Sequence, residues 1–324
     1  MMNPKRLEDY LTTLDINDKA VVLATASFLG GQAILRNQHR AGERQAIKSD
    51  GSTVGILDET SGKTMVRYVN NNLKAAAIKF RSEEKMPFEE PSSWQYAGLF
   101  DDLDGSINPM VGGVNLNFVG VSGVIHTRQD DQQIMAAGYL PFANPRIVVV
   151  AEKTRGTYAV TLPQTSKDQY SHKKVVLPPN PAQRNILLES GWMTPDSLDA
   201  ELSLIQAGFY NEIGVTTKDR VCGGVFQTIS GLLDNRQVVL NYAASHPADY
   251  LWLMLEEAGA DVISQQGTSM HSLSHAMLSI APSFTGDRER LKETFVQAMR
   301  SETVKTNYGG HDRQKVILEK LGKD

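Results

Sequence analysis

A chain of 324 residues, 41% hydrophobic and 22% charged, is long enough for one large domain or two ordinary ones and too apolar to be disordered. Its 37 acidic against 33 basic residues leave a formal charge of −4, which argues against a nucleic-acid polymer as partner. Cys222 is the only cysteine, so neither an internal disulfide nor a cysteine-built zinc cluster is possible. The opening MMNPKRLEDYLTT lacks the apolar stretch of a secretory signal, and no apolar run is long enough to span a bilayer. The expectation is a cytoplasmic protein that folds on its core alone and makes no membrane contact.

In chain order, residues 5–40 place Leu7, Leu11, Leu14, Val21, Leu23 and Phe28 at roughly helical spacing. Residues 46–62 are turn-rich and lead into a helix over 64–80, where Met65, Val66, Val69, Leu73, Ala76 and Ala77 recur at three- and four-residue steps. A loop with Pro87 and Pro91 precedes WQYAGLF (94–100), which reads as a strand ending at an acidic cluster. Short β-type runs follow at 114–125, 133–140, 146–152 and 157–162, separated by Asn, Asp, Pro and Gly. They predict an antiparallel or mixed sheet. Beyond a break around 165–183, strand-like 186–190 and 237–242 alternate with helical 196–208, 225–233 and 249–259, the pattern of an α/β half. No internal repeat or low-complexity tract is present.

The stretch FDDLDGSINP (100–109) sets Asp101, Asp102 and Asp104 within four positions, with Gly105 and Ser106 directly after. Like charges this close repel, so the cluster is either a solvated turn or a site for a multivalent cation. An EF-hand loop is excluded: with Gly105 as its glycine, Phe100 would be the first ligand and Val111 the bidentate glutamate. Further carboxylates stand at element ends in other segments, namely Asp58, Glu83, Glu84 and Asp249. Such spacing is consistent with convergence on a hard cation such as Mg²⁺, which takes oxygen ligands. Spacing alone leaves both readings open.

Taken together, these segments resemble the Mg²⁺-dependent, lithium-sensitive phosphatases that include inositol monophosphatase, fructose-1,6-bisphosphatase and the bisphosphate nucleotidases. The family pattern Asp-Pro-Ile/Leu-Asp-Gly-Thr/Ser is similar to Asp101-Asp102-Leu103-Asp104-Gly105-Ser106. Its Val-Thr-x-x-Asp is similar to Val54 to Asp58, and its Gly-Glu-Glu to Ser82-Glu83-Glu84. Its Arg-x-x-Gly-Ser/Thr is similar to Arg220 to Gly224, and its late helix to Asp249 through Glu257-Ala258-Gly259. The resemblance covers roughly residues 20–300 and is closest to the inositol monophosphatase-like members.

The resemblance implies a layered αβαβα sandwich mixing α+β and α/β halves, divided as a metal-binding half 1–170 and a cleft-closing half 171–324. It implies two or three Mg²⁺ ions and hydrolysis of a small phosphate monoester, an inositol or sugar phosphate, by metal-activated water. Glu83, Asp101, the Leu103 carbonyl, Asp104 and Asp249 would be metal ligands; Asp58 and Ser106 would orient and deprotonate the water. Gly105, Ser106, Arg220, Gly223, Gly224 and Tyr242 would face phosphate or substrate, and a homodimer is expected of the family. The departures are Asp102 for the usual proline, Gly55 for a threonine, Tyr242 for an acidic substrate contact, and a two-residue offset that sets Pro247 against Asp249. They keep 3′-phosphoadenosine 5′-phosphate and fructose-1,6-bisphosphate open as substrates. A member that binds metal or a phosphorylated ligand without turnover also stays open. His271 and His275 have helical i, i+4 spacing but lack the glutamate of a zinc motif and read as ordinary histidines. Residues 171–174 read as a solvated basic patch. Glu256 and Glu257 close a helix where negative charge opposes the helix dipole, with no reason evident in the sequence.

Overall fold

The apolar periodicity over 5–40 resolves into two helices, α1 (Pro4–Leu11) and α2 (Asp18–Asn37), rather than one. The interruption is chemical. Thr12 and Thr13 donate their hydroxyls back to the carbonyls of Asp9 and Tyr10, and Asn17 caps α2 by accepting the Lys19 N–H. The structure is a computed structural model and describes residues 3–40, 44–47, 53–73, 78–82, 93–104, 107–108, 113–114, 119–128, 132–165, 168–180, 187–190, 195–214, 219–221, 223–242, 251–270, 274 and 276–300.

The turn-rich stretch contains an antiparallel hairpin, β1 (Arg44–Ile47) and β2 (Thr53–Gly55), and α3 (Ile56–Asn72) follows without a gap. Asp58 therefore sits inside the first turn of a helix, not before one. The tail of the expected 64–80 helix is instead a strand, β3 (Ile78–Ser82), where buried Ile78 and Phe80 alternate with Lys79 and the period of two wins. Then β4 (Tyr96–Asp104) runs on through the acidic cluster. After a short hairpin, β5 (Ile107–Asn108) and β6 (Gly113–Val114), come β7 (Gly120–Thr127), β8 (Gln133–Leu140), β9 (Ile147–Glu152), β10 (Gly156–Thr161) and β11 (Ser171–Val175). The remainder is β12 (Leu187–Ser190), α4 (Pro195–Gln206), α5 (Phe209–Ile213), β13 (Asp219–Val221), α6 (Gly224–Leu233), β14 (Val238–Asn241), α7 (Trp252–Glu257), β15 (Asp261–Ser264), β16 (Met277–Ile280) and α8 (Arg288–Met299).

Two sheets organise these elements. The larger has the order β11-β10-β9-β8-β7-β4-β3 and is antiparallel except for the parallel pair β3–β4. The smaller has the order β13-β12-β14-β16-β15, with β12 parallel to both neighbours and the other pairs antiparallel. Helices α2 and α3 cover the outer face of the large sheet, α6 and α7 lie between the sheets, and α4, α5 and α8 cover the far side of the small one. Three apolar cores lie between these five layers, the middle one taking in both faces of the α6–α7 layer. The exposed basic run expected at 171–174 is the edge strand β11, which pairs with β10 in the large sheet. A division after residue 170 would cut that sheet, and the change of sheet falls between Val175 and Leu187. Among the described residues no helix is long and apolar enough to cross a membrane.

Close packing of α2 depends on glycine. A Cβ on Gly31 would stand 2.3 Å from the ring of Tyr139, whose hydroxyl accepts the neighbouring Gln32 Nε2 at 3.0 Å. The structure also accounts for Glu257, whose charge opposes the α7 dipole. Its Oε1 accepts the Thr154 N–H at 2.8 Å and its Oε2 the Gly156 N–H at 3.0 Å, fixing the turn between β9 and β10. That turn needs help, since Thr154 has φ 70 and Gly156 φ 99. Glu257→Ala leaves both amides to water and should cost about 1–2 kcal/mol, read as a shift in the urea midpoint. An unchanged midpoint would show that the clamp contributes nothing.

Candidate active site

At the acidic cluster β4 and β7 leave simple register. Asp101 pairs with Ser122 and Asp104 with Gly120, so Asp102 and Leu103 stand opposite the single residue Val121. In a regular strand, residues three apart point to opposite faces; one extra residue brings 101 and 104 onto the same face. Packing agrees with this. Leu103 joins Phe100 and Val121 in the outer core, whereas Ala97 and Leu99, alternating with Asp101, belong to the core around α6 and α7. Both carboxylates turn toward the middle layer, Asp101 2% and Asp104 7% exposed.

Backbone amides hold both groups. The Leu103 N–H donates to Asp101 Oδ1 at 3.0 Å within the bulge. The Val225 N–H donates to Asp104 Oδ2 at 2.6 Å from the first turn of α6. Gly223 caps that helix at φ 86, a conformation suited to glycine, and the positive end of the helix dipole meets the Asp104 carboxylate. The sequence gives no direct sign of Val225, because every residue but proline carries an amide. The only cue is the Gly223-Gly224 pair before an apolar run.

Asp58 occupies the third position of α3, where its Oδ2 accepts the Gly55 N–H at 2.9 Å. Gly55 thus supports Asp58 through its backbone, without the hydroxyl of the threonine it replaces. Helix α3 leads by a short connection into β3, which runs parallel to β4, and α3 packs on β4. Helix and strands therefore run in opposite directions, and the start of α3 lies at the sheet end where β3 and β4 finish. The start of α3 with Asp58, the end of β3 and the Asp101–Asp104 bulge thus lie toward one end of the large sheet, and α6 reaches the bulge through the Val225 N–H.

Glu83 follows β3 directly in sequence and lies outside the described residues, as do Gly105, Ser106, Asp249, His271 and His275. Arg220 is placed by its backbone on β13. Among the described residues no three His, Cys, Asp or Glu side chains gather as a metal cage. The described part of the candidate site is Asp101, Asp104, Leu103 and Asp58, with Gly223 and Gly224 at the start of α6. Tyr242 lies just after β14. It is 2% exposed and packs in the core between the small sheet and its outer helices. The strand pattern explains this: Tyr242 follows β14, whose residues are all buried.

The sequence matches no protein-family model and no curated protein. Solved structures do match. A Thermotoga maritima IMPase superposes with a TM-score of 0.59 at 13% identity, over 90% of this chain and 98% of that one. Leishmania major fructose-1,6-bisphosphatase, in holo form, gives 0.62 at 15% identity, over 92% and 100%. An IMPase/NADP phosphatase complexed with Mg²⁺ and phosphate gives 0.56 at 11% identity, over 82% and 89%. The chain has the inositol monophosphatase-type fold. That fold is the layered αβαβα sandwich that the family resemblance implied, and the bulged end of β4 carries the acidic motif.

Proposed function

We propose that the protein is a Mg²⁺-dependent phosphatase acting on a small phosphate monoester, with the inositol and sugar phosphates as its substrate class. The observation that carries this reading is the bulge that turns Asp101 and Asp104, both buried, to one face. Two buried carboxylates turned to one face make a donor pair suited to a cation. Their oxygens are the hard donors that Mg²⁺ prefers, so the residues present fit the ion. A carboxylate has about four lone-pair directions, so one that accepts a backbone N–H can also ligate a cation. The similar fold of a phosphatase complexed with Mg²⁺ and phosphate adds support.

In this reading Asp101, Asp104 and the Leu103 carbonyl hold the metal, joined by Glu83 and Asp249. When bound, Mg²⁺ lowers the pKa of a water and neutralises charge on the phosphate. Asp58, braced by the Gly55 N–H, accepts the proton that the Ser106 hydroxyl relays from the attacking water. The Gly105 and Ser106 amides and the start of α6 present positive dipole ends to the phosphate oxygens. Arg220 and Gly223-Gly224 border the substrate. The reading also includes a homodimer in the cytoplasm.

The test is inorganic phosphate release from inositol 1-phosphate, fructose 1,6-bisphosphate and 3′-phosphoadenosine 5′-phosphate, with Mg²⁺ and again with EDTA. Turnover of one ester, abolished by EDTA and restored by Mg²⁺, is the expected result. Mg²⁺ binding without turnover of any ester would replace the proposal with a ligand-binding role for the same site.

A further inference from the structure

Helix α6 reaches Asp104 only because the large sheet lets it come unusually close. Two glycines face it from adjacent strands, Gly120 on β7 and Gly138 on β8. A Cβ on Gly120 would stand 2.5 Å from Val225 Cγ1 and 2.7 Å from Val225 Cβ. A Cβ on Gly138 would stand 2.8 Å from Ile229 Cδ1 and 3.1 Å from Leu251 Cδ1. Val225 is the residue whose N–H holds Asp104, and Gly120 is the cross-strand partner of Asp104. One contact therefore sets both the height of the helix above the sheet and the 2.6 Å hydrogen bond to the carboxylate.

We infer that Gly120 is a positioning residue for the metal site, seating the first turn of α6 so that the Val225 amide fixes Asp104 for its ligand role. This rests on the metal reading above. The two glycines are not equivalent. At Gly120 an added methyl meets the Cβ and Cγ1 of a β-branched residue on the backbone that donates the hydrogen bond, and valine in a helix has little rotamer freedom. At Gly138 it meets the methyl ends of Ile229 and Leu251, which can turn away. Gly120→Ala should therefore displace the Val225 amide, while Gly138→Ala should be absorbed by side chains. Gly31→Ala is the control, since its added Cβ would stand 2.3 Å from the Tyr139 ring on the face of the sheet opposite α6.

The experiment measures Mn²⁺ binding by electron paramagnetic resonance and amide exchange over the first turn of α6, in wild type and in each variant. Gly120→Ala is expected to weaken Mn²⁺ binding roughly tenfold or more, the usual size of a lost outer-shell support. It should also speed exchange in the first turn of α6. Gly138→Ala and Gly31→Ala should do neither, and Gly120→Ala/Val225→Gly, which removes the overlap but keeps the amide, should recover Mn²⁺ affinity. Wild-type affinity in Gly120→Ala, an equal loss in Gly31→Ala, or no recovery in the double variant would overturn the inference. If the wild-type protein binds no Mn²⁺, the metal reading fails. Exchange alone then decides the packing claim, with unchanged exchange in Gly120→Ala refuting it.

Discussion

Asp101→Asn is expected to lower metal-dependent phosphate release by more than about a hundredfold while the protein stays folded. Loss of an outer-shell partner costs roughly 10–100-fold in metal affinity or activity, and a residue that itself ligates should cost at least as much. The substitution hardly changes volume, and the carboxylate sits 2% exposed on the same face of β4 as Asp104. The asparagine amide oxygen can still accept the Leu103 N–H, so the metal-free variant should melt close to metal-free wild type. The check is kcat at saturating Mg²⁺ together with thermal unfolding in EDTA. Retained activity, or a variant that cannot fold, would count against Asp101 as a ligand.

Glu256 makes stability depend on pH. Burial pushes its carboxyl up to about 7, with Lys153 pulling it down and Glu257 and Asp261 adding to the rise. The folded protein therefore keeps a proton between pH 4.5 and 7 that the unfolded chain has already lost. Its unfolding free energy falls as pH rises through that window. A shift of that size corresponds to at most about 3 kcal/mol, and partial exposure reduces it to roughly 1–2 kcal/mol. Glu256→Gln should thus be more stable than wild type by about that amount at pH 8 and level with it at pH 4. Urea midpoints at pH 4, 6 and 8 would show it, and parallel curves for the two proteins would refute it.

The antiparallel sheet and the α/β half were legible because apolar residues recur with clear periods in 133–161 and 225–242, while the layered order was implied by the family resemblance. Boundaries were less legible. The 5–40 run conceals a break whose signals, Thr12-Thr13 and Asn17, are local side-chain hydrogen bonds rather than a change of period. Residues 78–82 look like the end of a helix until parallel pairing with β4 makes them a strand. The acidic motif drew attention to Asp101 and Asp104, but the bulge that turns them to one face is a property of two strands together and leaves no mark on either alone. Val225, Gly120 and the clamp by Glu257 escaped for a similar reason: each acts on a residue more than a hundred positions away or on another strand. Alignment with a motif fixed the position of Tyr242 in the chain, while its burial is decided by the sheet around it.

The most direct test of a metal centre at the end of β4 is a crystal grown with Mn²⁺ and measured at a wavelength where manganese scatters anomalously. An anomalous peak within about 2.0–2.4 Å of carboxylate oxygens from both Asp101 and Asp104 is the predicted result. A map with no peak there, from crystals in which Mn²⁺ is bound elsewhere or not at all, would contradict it.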